Sequence, residues 1–252
     1  MGGDLISLRT LIVSAPDAGR ELLRRGAAHA SVPVEIVEAD DAAAARSHLD
    51  SEGIDLVMLD AALQDGERAA IAKTARAMGR PPFVALVAPP DVTEVSFDTD
   101  GLLMMPRSLE EAGRLFDRLI RMCLPTRVLL VDDSSTMRNI VRKILAASRF
   151  PFDVAEAEDG GVALELVRRG GFDIVFLDCN MPGLDGFQTL AELKRAKSRV
   201  QVVMITSTDN EALAARARAD GAAFLKKPFY PADIDVVLCG YYGLHAIKAE
   251  RT

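Results

Sequence analysis

Four separated points in this sequence carry groups suited to moving a phosphoryl group. Asp132 and Asp133 follow the apolar run Val128-Leu-Leu-Val131. Asp178 follows Ile174-Val-Phe-Leu177, Thr206 closes Val202-Val-Met-Ile205, and Lys227 follows Phe224-Leu-Lys226. Each apolar run reads as a short strand buried on both faces, so each polar group stands at a strand end. In an open α/β sheet the carboxyl ends of the strands form the rim where ligands bind. Three carboxylates on one rim repel one another unless a cation compensates. A hard divalent ion suits such oxygen ligands, Mg²⁺ first, because it keeps water and phosphate oxygens beside a few protein ligands. Metal and ammonium neutralise a transferring phosphoryl group, and a hydroxyl donates to one of its oxygens. Taken singly these features are ordinary. Adjacent acids usually mark a solvated turn, Lys227-Pro228 a surface turn, and Asp185-Gly186 turn and cap chemistry. Their joint occurrence, in order and at strand ends, carries the signal.

The elements that must position these groups recur twice. Arg9-Thr-Leu-Ile-Val13 matches Arg127-Val-Leu-Leu-Val131, and Ile54-Asp-Leu-Val-Met-Leu-Asp60 matches Phe172-Asp-Ile-Val-Phe-Leu-Asp178, both at an offset of 118 residues. The repeat is the size of a domain. In the second copy strands are expected near 127–132, 152–156, 172–177, 200–205 and 222–226. Helices are expected over 135–148, 159–170, 185–197 and 209–219, with a last one after Pro231. In the first copy strands are expected near 9–13, 33–37, 54–59, 82–87 and 101–104, with a fourth helix short or missing within 91–100. Alternating β and α units of this kind predict an α/β protein of two flavodoxin-like (βα)5 doubly wound parallel-sheet domains in tandem. The junction falls near Leu124-Pro125-Thr126, which gives domains 1–124 and 125–252.

The residues of the second copy resemble a known family. Arg127-Val-Leu-Leu-Val-Asp-Asp-Ser-Ser-Thr-Met-Arg-Asn-Ile-Val-Arg142, Leu177-Asp-Cys-Asn-Met-Pro-Gly-Leu-Asp-Gly186, Thr206 and Lys227-Pro228 are similar to CheY-like receiver domains of bacterial response regulators. The resemblance covers roughly 126–245. It implies that Asp178 accepts a phosphoryl group from a sensor histidine kinase or a histidine phosphotransfer protein. It implies a Mg²⁺ site made by Asp133, Asp178 and the backbone carbonyl of Asn180, with Asp132 helping through water. Thr206 and Phe224 would form the switch pair, and Lys227 would contact the phosphate while Lys226 points to the other side of the strand. A cis bond before Pro228 is a further expectation of the family. So is the absence of steady enzymatic turnover, leaving only Mg-dependent self-phosphorylation and autodephosphorylation at Asp178.

The first copy keeps the plan and loses the groups. Ser14 and Ala15 replace the acidic pair, Ala88 replaces Thr206, Met105 replaces Lys227 and Leu102 replaces Phe224, while Asp60 alone remains. Phosphorylation there is not expected, and Asp60 reads as a cap on the loop after its strand. A fold kept without its site suggests binding. The amphipathic stretch 111–122 suits packing on its own sheet, or an interface between domains or between protomers of a homodimer.

Composition narrows the classes. The net charge of −7 comes from residues 1–124, with 13 Lys/Arg against 20 Asp/Glu, while 125–252 carry 17 of each. Neither half has the basic excess that nucleic-acid binding needs. No stretch approaches the roughly 20 apolar residues of a membrane span, and the start, MGGDLISLRT, lacks a secretion signal. Cys123, Cys179 and Cys239 lack metal-ligand spacing and suit a reducing cytoplasm. An aspartate-nucleophile phosphatase needs a second Asp where Asn180 stands, and a dinucleotide enzyme needs a glycine-rich turn where Asp132-Asp-Ser-Ser stands. With His29, His48 and His245 in no phosphotransfer motif, the donor is expected to be another protein. The expected output is contact with a downstream protein, with no DNA-binding or enzymatic output domain. A phosphorelay intermediate, a phosphate sink and a constitutive scaffold are the alternatives.

Overall fold

The computed structural model describes residues 8–50, 53–92, 95–148, 150–207 and 211–244. The chain divides into two compact units. One runs up to Cys123, the other covers Leu124–Tyr241, and residues 242–244 group with the first.

The first unit contains β1 (Leu8–Val13), α1 (Ala18–Ala27), β2 (Val34–Ala39), α2 (Ala42–Leu49), β3 (Leu56–Asp60), α3 (Asp65–Arg76), β4 (Phe83–Ala88), β5 (Gly101–Met104) and α4 (Leu109–Cys123). The second contains β6 (Thr126–Val131), α5 (Ser135–Ala146), β7 (Phe152–Ala157), α6 (Gly160–Arg169), β8 (Ile174–Asp178), α7 (Gly186–Arg195), β9 (Gln201–Thr206), α8 (Glu211–Ala219), β10 (Ala223–Lys226) and α9 (Pro231–Tyr242). Positions 93–94, 209–210 and His245, which enter the expectations above, lie outside the described residues.

Each unit has one all-parallel sheet. The strand orders are β2-β1-β3-β4-β5 and β7-β6-β8-β9-β10. This is the expected doubly wound arrangement, and the strand order changes direction beside β1 and β6. The central strands are buried along almost their whole length because helices cover both faces. Two apolar cores result. The first centres on Leu11, Val57, Leu59 and Leu86. The second centres on Leu129, Val175, Leu177 and Met204.

Helix starts follow side-chain chemistry. Asp17, Asp41, Ser134, Asp159 and Asp185 each accept a backbone N–H of the first turn. α7 starts with a capping box of Asp185 and Gln188, and at α3 the Glu67 side chain accepts the Gln64 N–H.

The two units differ between their fourth and fifth strands. The second unit places α8 there, whereas the described residues between β4 and β5 form no helix. Pro89-Pro90 and the β-branched Val92, Val95 and Thr99 disfavour one. Side chains hold the segment instead. Arg76 pairs with Asp98 (3.1 Å) and Asp100 (2.8 Å). Asp100 also accepts the N–H of Val84 (2.7 Å), and Val92, Val95 and Phe97 pack on the first core.

Candidate functional site

The acidic pair sits at the end of β6 because the ladder stops there. Asp132 donates its N–H to Ala157 O at 3.3 Å, and the chain then turns into α5. The Asp132 carboxylate points inward and is buried. Its Oδ1 accepts the N–H of Ser134 (2.9 Å) and its Oδ2 accepts the Lys227 ammonium (3.0 Å). Asp133 is exposed. Asp178 is the last residue of β8 and is also buried. Its Oδ2 accepts the N–H of Asn180 (2.8 Å) and its Oδ1 accepts Lys227 Nζ (2.7 Å). One ammonium therefore bridges two buried carboxylates from different strands. Lys227 reaches them because its N–H is bonded to Thr206 O (2.7 Å), which extends the β9–β10 pairing beyond Lys226. The Lys227-Pro228 bond is cis.

Thr206 closes β9 and is fully buried. Phe224 lies opposite Met204 in β10 and is partly buried against the second core. Lys226 is exposed while Lys227 is half-buried, as alternation along a strand requires. Of the residues singled out by sequence, Asp132, Asp178 and Lys227 are thus in direct contact. Thr206 joins them through the backbone of Lys227, and Asp133 and the exposed Asn180 stand on the solvent side.

Electrostatics follow from this burial. Desolvation pushes the Asp178 carboxyl above the usual carboxylate range. The Lys227 ammonium and the Asn180 N–H pull against that rise, and the nearby Asp132 charge adds to it. Burial opposes the charge on Lys227, but its bonds to Asp178 and Asp132 outweigh burial and hold its pKa above the ordinary lysine value. Cys179, beside Asp178, is pushed up to about 11, first by burial and then by the Asp178 charge. It is a thiol at neutral pH and a poor nucleophile.

Among the described residues no three or more His, Cys, Asp or Glu side chains gather into a closed metal-binding group. The donor chemistry still fits a hard cation. Asp132 and Asp178 share a single lysine, Asp133 adds a third carboxylate, and every donor is oxygen.

Two supports were not visible in the sequence as site residues. Arg138 of α5 donates to the carbonyl of Asp132 and to Glu156. Gly186 starts α7 directly under β8: a Cβ there would lie 2.3 Å from Asp178 O and 2.9 Å from Cys179 Cα. The repeat carried a clue to the first, since Arg20 stands at the same offset from Arg138 as the matching strands.

The first unit reproduces the backbone of this site. Ser14 N–H bonds Ala39 O, Ala61 N–H bonds Val87 O, and Met105 N–H bonds Ala88 O. These match Asp132 to Ala157, Cys179 to Ile205, and Lys227 to Thr206. Asp60 accepts the N–H of Ala62 (2.8 Å), the same turn that Asp178 makes with Asn180. The side chains differ. Ser14 and Ala88 are buried and Ala15 is exposed. Leu102 belongs to the apolar core, and the Met105 thioether approaches Gly19.

Comparison with known proteins agrees with the second unit. Residues 128–238 match the response regulator receiver domain family. The chemotaxis protein CheY of Bacillus subtilis (strain 168) is 35% identical over 104 residues, which are 41% of this chain and 86% of that protein. The chemotaxis protein CheY-3 of Vibrio cholerae serotype O1 is 36% identical over 111 residues, 43% of this chain and 85% of that protein. A solved structure of a probable two-component system response regulator/GGDEF domain protein aligns over 94% of this chain and 98% of that one. Its TM-score is 0.54 at 23% identity, a likeness of fold. With two flavodoxin-like units in tandem and receiver relatives matching the second, the chain belongs to the receiver family of two-component response regulators.

Proposed function

We propose that this response regulator is switched by phosphorylation of Asp178 and signals through protein–protein contact. The observation that carries the reading is the Lys227 ammonium bridging the buried carboxylates of Asp132 and Asp178. It leaves an aspartate at a strand end with a cation already beside it, and it leaves the three-group cluster negative. In the reaction an Asp178 carboxylate oxygen attacks the phosphorus of a phosphohistidine. The O–P bond forms, the N–P bond breaks, and the electron pair returns to the imidazole of a histidine kinase or phosphotransfer protein. Lys227 then faces phosphoryl oxygens, and the Thr206 hydroxyl donates to one of them. Asp133, Asp178 and the Asn180 carbonyl, with Asp132, would hold Mg²⁺, which supplies further positive charge at those oxygens when bound. Phosphorylation converts a carboxylate of charge −1 into an acyl phosphate of about −2, adding about −1 and bulky phosphoryl oxygens, and shifts an existing equilibrium of the surface around Phe224, α8 and α9. Partner proteins read that surface. The protein works in the cytoplasm, turns over no metabolite, and uses its first unit for binding.

Labelling and capture test this together. Wild type incubated with Mg²⁺ and a small phosphodonor becomes labelled, and Asp178→Asn does not. Wild type with the phosphodonor retains a protein partner that Asp178→Asn does not retain. Equal labelling of the two proteins would overturn the assignment. Equal partner capture with and without label would make the chain a scaffold, and rapid return of label to a histidine phosphotransfer protein without capture would make it a relay.

A further inference from the structure

Asp132 is held by both its carboxylate and its backbone. Its carboxylate meets Lys227 and the Ser134 N–H, facing the cleft. Its backbone carbonyl separately accepts Arg138 Nη1 at 2.6 Å. The same guanidinium donates through Nε to Oε2 of Glu156 (2.8 Å), the next-to-last residue of β7. Solvent reaches only 14% of the Arg138 side chain and 26% of Glu156. Arg142, one turn further along α5, also pairs with Glu156.

We infer that Arg138 is a positioning residue that fixes the Asp132–Asp133 peptide, and through it the acidic rim that receives a divalent cation. The inference rests on the reading of the site given above. The carbonyl held by Arg138 belongs to the peptide plane joining Asp132 to Asp133. Fixing its oxygen fixes where the Asp133 Cα departs. Asp133 is exposed, so packing does little to orient it, and the ladder bond just before it is long at 3.3 Å. A planar guanidinium suits this task because its separate N–H groups can hold a carbonyl and a carboxylate at a set angle, which one ammonium cannot do. Groups that orient a metal's ligands without touching the metal commonly matter to affinity nearly as much as the ligands.

The first unit supplies an internal control. Arg20 Nη1 donates to Ser14 O (3.0 Å) and pairs with Asp40 (2.5 Å). The hold on the carbonyl is shared, although its carboxylate partner is the exposed Asp40 just past β2 and not a residue at the place of Glu156 within β7, and the acids it would position are missing. Loss of Arg20 therefore reports what the clamp contributes to folding alone.

The test is Mg²⁺ titration by calorimetry, with the amide resonances of Asp133 and Asn180 followed beside it, and thermal melting of every variant. Arg138→Ala weakens Mg²⁺ binding about tenfold or more, Arg138→Lys and Glu156→Gln fall between it and wild type, and Arg142→Ala and Arg20→Ala stay within about twofold. Labelling of Arg138→Ala from a small phosphodonor recovers toward the wild-type rate at saturating Mg²⁺. Unchanged Mg²⁺ affinity in Arg138→Ala, with melting lowered as in Arg20→Ala, would reduce the arginine to a fold clamp and overturn the inference while the site reading stood. If Arg138→Ala fails to fold, unchanged affinity in both Arg138→Lys and Glu156→Gln overturns it equally. Wild type that binds no Mg²⁺ and takes no label would instead sink the site reading itself.

Discussion

At the scale of single residues the site is under electrostatic stress. Two buried carboxylates share one ammonium. The folded protein holds a proton on Asp178 more tightly than the unfolded chain, because burial raises its pKa. Stability from this group is present in full below the ordinary carboxylate range and is lost as pH rises through Asp178's own value. Lys227 has the same sign, with a stabilising contribution present below the ordinary lysine range and lost as pH rises through its raised value. Asp178→Asn turns a negative cluster into a neutral Lys227–Asp132 pair. At neutral pH without divalent metal it raises the melting temperature of the Leu124–Tyr241 unit by a few degrees, roughly 1 kcal/mol. The gain shrinks as pH falls through the raised value of Asp178 and is gone below the ordinary carboxylate range. Lys227→Met moves the other way by about 3 kcal/mol, since it strands two buried carboxylates. A melting series from pH 3 to pH 8 checks both, and a lower melting point for Asp178→Asn at neutral pH refutes the stress. The acids, hydroxyl and lysine were legible in sequence because strand ends converge. The bridging role of Lys227 was not, because it depends on how far one side chain reaches across three strands.

At the scale of elements, strand positions were legible to within two residues, since continuous β-branched and apolar runs leave little choice for a parallel sheet buried on both faces. The described residues between β4 and β5 form no helix, within the expectation of a short or missing one over 91–100. What replaces the helix was not legible, because Arg76 meets Asp98 and Asp100 only after folding. Likewise nothing local marks Gly186 as different from Gly66, yet their surroundings are opposite. A Cβ at Gly186 meets the backbone of Asp178 and Cys179, whereas one at Gly66 in α3 meets nothing within 4 Å. Gly186→Ala must push α7 away from β8. It costs about 2–3 kcal/mol and slows labelling of Asp178, the residue it displaces. Gly66→Ala gains helix propensity in open space and is neutral or stabilises by about 0.5 kcal/mol. Unfolding by urea, followed unit by unit through amide exchange, separates the two. Similar effects from both substitutions would show that the close approach under Asp178 does not govern α7.

At the scale of the whole molecule, two copies of one fold have diverged in side chains more than in backbone. The hydrogen bonds at the ends of β1, β3 and β4 repeat those at β6, β8 and β9. Arg20 keeps the clamp on the first strand, and Asp60 keeps the turn that Asp178 makes. Missing are the acidic pair, the hydroxyl and the ammonium. If those groups are what make Asp178 reactive, restoring them should make Asp60 reactive. In an Asp178→Asn background, the substitutions Ser14→Asp, Ala15→Asp, Ala88→Thr and Met105→Lys together restore Mg²⁺-dependent labelling, now at Asp60, as peptide mapping of the labelled chain would show. Each substitution alone leaves the chain unlabelled, because an acidic pair without lysine, or lysine without acids, lacks half of the charge balance. The backbone differs from the second unit as well: residues 61–64 connect β3 to α3 where 179–185 connect β8 to α7, residues 14–17 connect β1 to α1 where 132–134 connect β6 to α5, and α8 has no counterpart among the described residues. A folded fourfold variant that still takes no label would locate the loss in these backbone connections, and the side chains would then be a consequence of the lost function and not its cause.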